Sequence, residues 1–142
     1  AKAITLAEEE RERVQPRIKE LRDCLRDGIL ARVDEVILTG HPEERLPNNL
    51  SLCFRYVEGE ALLLNLDLQG IAASSGSACT SGSLEPSHVL LAMGLEHEIA
   101  HGSLRLTLGR ENTAEEIDYV VEAVATAVEK LREMSPLYEK QR

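Results

Sequence analysis

Apolar residues recur at helical spacing near the start of the chain, where Ile18, Leu21, Leu25 and Ile29 fall on one stripe. The spacing predicts a helix over residues 1–32. Pro16 lies inside that stretch. Proline lacks a backbone donor and crowds the preceding turn, so a kink or a break is expected there. The period then changes. "DEVILTG" reads as a short strand ending at Gly40, and "HPEERLPNN" as a loop punctuated by Pro42 and Pro47. "LSLCFRYVEG" alternates, with Leu50, Leu52 and Phe54 on one face and Cys53 on the other. "EGEALLLNLDLQG" predicts a helix closed by Gly70, and "IAASSG" a short buried strand.

The same reading continues to the end. "PSHVLLAMG" predicts a short helix, with Pro86 in its first turn and Gly94 at its end. "HGSLRLTLGR" reads as a strand with Leu104, Leu106 and Leu108 on one face and Arg105 and Thr107 on the other. A long helix follows, opened by Thr113 and Glu116 at the spacing of a capping box. Its buried stripe is Ile117, Val120, Val121, Val124, Val128 and Leu131. The order predicts an α+β fold, a small sheet covered by helices mainly on one face. Residues 1–32 read as a linking helix, and 33–142 as a small domain carrying a cysteine-bearing loop over 74–85. No capping residue precedes Ala1, so the chain reads as continuing from something longer.

Composition narrows the chemistry. The 142 residues suit one domain, and with 3% aromatic residues and no tryptophan its core must be aliphatic. A net charge of −9 argues against nucleic acid and against an anionic membrane. The three cysteines form no CxxC pair, which removes the usual zinc spacing. An odd cysteine count with no secretory signal points to a reducing, cytoplasmic compartment.

Cys79 stands out because serine, glycine and threonine surround it, in "SSGSACTSGS". A packing cysteine is normally flanked by apolar residues. A thiol in an accessible loop, close to a helix start that favours negative charge, can act as a thiolate. Cys24 and Cys53 read as structural. Arg105 alternates with leucines on a strand, so its guanidinium must go to a carboxylate, of this chain or of a substrate, or to solvent. Arg110 is a weaker candidate of the same kind. His97 and His101 sit four residues apart, a weak metal signal without a carboxylate partner in pattern.

The stretches "SSGSACTSGSLEPSHVLLAMGL" and "AHGSLRLTLGRENTAEEIDYVVEAV", with "PNNLSLCFRYVEGEALLLNLD" and "LREMSPLYE", resemble the C-terminal part of group I cysteine desulfurases of the NifS/IscS type. These belong to the class V aminotransferase-like enzymes. The resemblance implies the small domain of a fold-type-I transferase that depends on pyridoxal 5'-phosphate (PLP). It implies that the complete enzyme takes sulfur from L-cysteine and leaves L-alanine. Cys79 then matches the persulfide-forming nucleophile, and Arg105 the residue that pairs with the substrate carboxylate. Ser74, Ser75 and Gly76 match the base of the loop. The implied partners are a large PLP-binding domain and an iron–sulfur scaffold as sulfur acceptor, and the apolar face left exposed without that domain is expected to pair with a second copy in a homodimer. The family's Schiff-base lysine follows a histidine, and none of Lys2, Lys19, Lys130 and Lys140 does so. PLP is therefore expected in the complete enzyme, not bound covalently to this chain, which alone would be inactive. The competing reading is a stand-alone persulfide carrier.

Overall fold

The computed structural model describes residues 1–75 and 85–139. Helix α1 spans Lys2–Arg32 and is followed by strands β1 (Val36–Leu38) and β2 (Asn49–Phe54). Helix α2 (Gly59–Asp67), the short helices α3 (His88–Ala92) and α4 (His97–His101), strand β3 (Ser103–Thr107), helix α5 (Ala114–Glu133) and the final turn α6 (Pro136–Glu139) complete the order. The strands form an antiparallel sheet in the order β1-β2-β3.

Alternation in β2 and β3 decides the layers. Leu50, Leu52, Leu104 and Leu106 are each at most 4% exposed, and with Phe54 they pack against α1, α2 and α5 through Leu25, Ile29, Leu62, Leu66, Val124 and Val128. Burying each such side chain contributes about 1.5–3 kcal/mol. The architecture is α+β with helices mainly on one face. On the opposite face, Cys53 joins Leu90, Ile99 and Ala100, so α3 and α4 cover one end of the sheet only. Helices α1 and α5 approach closely at Gly28, where an added Cβ would lie 2.7 Å from a methyl of Val121.

Helix α1 runs through Pro16 as one element, so of the expected kink or break the break does not occur. Contacts on both sides of the proline hold it. Arg17 donates to the carbonyls of Arg110 and Asn112 at 2.7 and 2.8 Å, and Arg110 pairs with Glu10 at 2.9 Å. The missing donor faces solvent there, since Glu12 and Pro16 are exposed. The capping box forms as expected: Glu116 N donates to Thr113 Oγ1 and Thr113 N to Glu116 Oε2. Gly70 and Gly94 take positive φ, as helix-ending residues do. "IAASSG" is not a full strand; only Ser74 bridges to β3. The strand expected from His101 begins at Ser103, because α4 occupies His97–His101.

Arg132 closes the far end of the sheet. It is 5% exposed, and its guanidinium donates to the carbonyls of Asp34, Arg55 and Glu35 at 2.8, 3.2 and 3.4 Å. Those carbonyls belong to chain that turns through the left-handed residues Glu35 and Tyr56. Replacing Arg132 by alanine orphans these carbonyls and is expected to cost about 2–4 kcal/mol. Urea denaturation checks this. Arg55→Ala, which removes a half-exposed ion pair with Glu35, is the control expected to shift stability by under about 1 kcal/mol.

Candidate active site

The open part of the second sheet face carries the candidate chemistry. In register, Ser51 lies opposite Arg105, and Arg105 bridges on its other side to Ser74. Thr39, just past β1, donates both its N–H and its hydroxyl to the Ser51 carbonyl at 3.0 Å. The result is a row across one face: Thr39, Ser51, Arg105, Ser74. The neighbouring row, Ile37, Cys53 and Ser103, is the end that α3 and α4 cover.

Ser74 and Arg105 exchange two backbone hydrogen bonds. Ser74 N donates to Arg105 O at 3.1 Å and Arg105 N to Ser74 O at 2.6 Å. The root of the segment leading toward position 79 is thus stitched to the strand that carries Arg105. Ser75 is half-buried beside it. Gly76 and Cys79 lie outside the described residues.

The Arg105 side chain is half-buried and, among the described residues, makes no hydrogen bond and no ion pair. Every other arginine there is engaged with a carboxylate or a carbonyl. The internal ion pair that the acidic composition made a competing reading is absent there. Arg110 does follow that reading, pairing with Glu10 and Glu111 at 2.9 and 3.0 Å. A guanidinium with its fork unspent, on an open sheet face, suits a carboxylate that the described residues do not supply.

The remaining candidates resolve differently. His97 Nε2 lies 3.4 Å from Glu85, and its ring stacks near that of His101. Among the described residues no group of three or more His, Cys, Asp or Glu side chains could hold a metal ion. His41 accepts from the N–H groups of Glu43 and Glu44 and so closes a turn. Cys24 is exposed on α1, which corrects the structural role read for it. It falls just off the buried stripe of Leu25 and Ile29. Cys53 is fully buried, and burial pushes its thiol up from 9.0 to about 11. At pH 8, iodoacetamide is expected to label Cys24 and to spare Cys53 until the chain unfolds; mass spectrometry of the labelled peptides reads this. Because the folded value is the higher one, the stability held by the neutral thiol is fully present below pH 9 and is lost as pH rises through about 11.

Sequence reasoning missed Ser51 and Thr39 as parts of the site. Alternation put Arg105 opposite the leucines, but only cross-strand register shows which small polar residues flank it.

Comparison with known proteins follows the same direction. Residues 1–120 match the family described as aminotransferase class-V. The chain belongs to that family. Among its class-V relatives, the cysteine desulfurase IscS of Methanosarcina thermophila is 54% identical over 140 residues, covering 99% of this chain and 34% of that protein. Cysteine desulfurase IscS 1 of Archaeoglobus fulgidus is 55% identical over 122 residues, covering 86% of this chain and 32% of that protein. A NifS-like protein from Rickettsia africae superposes with a TM-score of 0.76 at 28% identity, covering 87% of this chain and 31% of that one. The chain spans about a third of the length of the curated relatives it matches.

The class-V family uses PLP, whose aldehyde needs a lysine amine. Lys19 pairs with Asp23 on α1, Lys2 and Lys130 are exposed on helices, and none of these stands on the Arg105 face. None of these described lysines therefore stands where it could hold the aldehyde of PLP beside Arg105.

Proposed function

We propose that this chain is the sulfur-receiving part of a cysteine desulfurase. In this reading the complete enzyme, with PLP held by the portion outside this sequence, acts on L-cysteine. Arg105 grips the substrate carboxylate. The Cys79 thiolate attacks the substrate sulfur: the C–S bond breaks, an S–S bond forms on Cys79, and a proton ends on carbon. The products are L-alanine and the Cys79 persulfide. The single observation that carries the reading is Arg105, without a side-chain partner among the described residues and beside the hydrogen-bonded root of the segment leading toward Cys79. Position 79 is five residues on from Ser74, and five residues span at most about 18 Å. A thiol there stays within reach of a substrate held by Arg105.

Ser75 and Gly76 act as the base of that tether. The acceptor is an iron–sulfur scaffold protein, for which the net charge of −9 favours a basic face, and the complete enzyme works as a homodimer in the cytoplasm. No helix among the described residues is long and apolar enough to cross a membrane. The test measures alanine release from L-cysteine with added PLP, using this chain alone and the complete enzyme containing it. Turnover by the complete enzyme only is the expected result. Turnover by this chain alone would contradict the division of labour, and silence in both would remove the desulfurase reading.

A further inference from the structure

We infer that Ser51 is a second carboxylate-binding residue, whose hydroxyl donates to the same substrate carboxylate that Arg105 grips. The inference deepens the reading above and rests on it. It starts from the register. Arg105 turns its backbone N–H and C=O toward Ser74. Its pairing with Ser51 on the other side is therefore the kind without direct hydrogen bonds, in which facing residues approach closest, with Cα atoms about 4.5 Å apart. The two side chains rise from the same face as neighbours.

Ser51 is held in place through its backbone. Its carbonyl takes both donors of Thr39, which is 7% exposed. Its hydroxyl takes part in no hydrogen bond within the described residues, although the residue is half-buried. Ser74, on the far side of Arg105, also has a hydroxyl that makes no hydrogen bond within the described residues. A carboxylate offers about four acceptor positions, and a bidentate guanidinium fills two of them. A serine hydroxyl beside the guanidinium fills a third.

Size and charge point the same way. The chain carries 25 acidic residues, yet a residue too short and uncharged to quench Arg105 stands on each side of it. An aspartate at position 51 would reach the guanidinium and close the site with an internal ion pair. The ligand class that fits is a small α-amino acid presenting a free carboxylate.

The complete PLP-loaded enzyme carrying Ser51→Ala, Ser51→Asp or Arg105→Lys provides the test. The readouts are kcat and KM for L-cysteine and the inhibition constant of cysteamine, which lacks the carboxylate. Ser51→Ala is expected to raise KM for L-cysteine by about tenfold, the usual worth of one hydrogen bond to a charged group, with kcat within about twofold. Ser51→Asp is expected to raise it by about a hundredfold or more. Neither variant should change cysteamine inhibition. If Arg105→Lys raises KM and both Ser51 variants leave it unchanged, the inference falls and the reading beneath it stands. If Arg105→Lys leaves KM unchanged, the reading itself falls. Equal weakening toward L-cysteine and cysteamine would make Ser51 merely structural and overturn the inference.

Discussion

In the complete enzyme, Cys79→Ser is expected to lower alanine formation from L-cysteine by about a thousandfold or more. The substitution changes one atom and little volume, so folding should be untouched. The chemistry is lost because only sulfur can take sulfur. A serine hydroxyl stays protonated at neutral pH and has no stable counterpart of a persulfide, whereas a thiol gives a useful thiolate fraction. Far-ultraviolet circular dichroism matching the parent, together with lost turnover, would assign the defect to chemistry. Retained turnover would show that another group accepts the sulfur. Cys53 is excluded from that role by full burial and a thiol pushed up to about 11. Cys24 is exposed but sits on α1, remote in sequence from the Arg105 strand.

Arg105→Leu in the same enzyme is expected to cut kcat/KM for L-cysteine by roughly a hundredfold or more. Losing one partner of a desolvated, hydrogen-bonded charge pair costs about 2–5 kcal/mol, and each 1.4 kcal/mol is tenfold. The size of the effect follows from where Arg105 stands. It is half-buried, so water only partly screens it, and no acidic side chain among the described residues shares its charge. Stability should hold or rise, because leucine removes a charge that has no partner among the described residues. A variant that melts earlier and loses activity in proportion would instead make Arg105 a structural residue.

Much of this architecture is legible in the residues themselves. Alternating leucines at 50, 52, 104 and 106 identify the buried sheet face, and each is at most 4% exposed. Thr113 and Glu116 mark the start of α5, and Gly70 and Gly94 mark helix ends, because these signals act locally. What escaped the sequence depends on distant partners. The uninterrupted passage of α1 through Pro16 relies on Arg17 and Glu10 gripping residues 110–112. Helix α4 hides in "HEIAH", too short to show a period, and is held by Ile99 and Ala100 packing on Cys53. In the site, Arg105 was readable as a candidate from its place among leucines. Ser51 was not, and Ser74 was readable only as the base of the loop, since register is a property of paired strands together.

The direct test of the central claim is to map where sulfur lands. The complete enzyme is given L-cysteine without added thiol, quenched, alkylated and digested, and each cysteine peptide is weighed. The account predicts one extra sulfur atom on the Cys79 peptide, none on the Cys24 or Cys53 peptides, and a greatly reduced yield in Arg105→Leu. Extra sulfur on Cys24 or Cys53 with Cys79 unmodified, or a yield indifferent to Arg105, would contradict it.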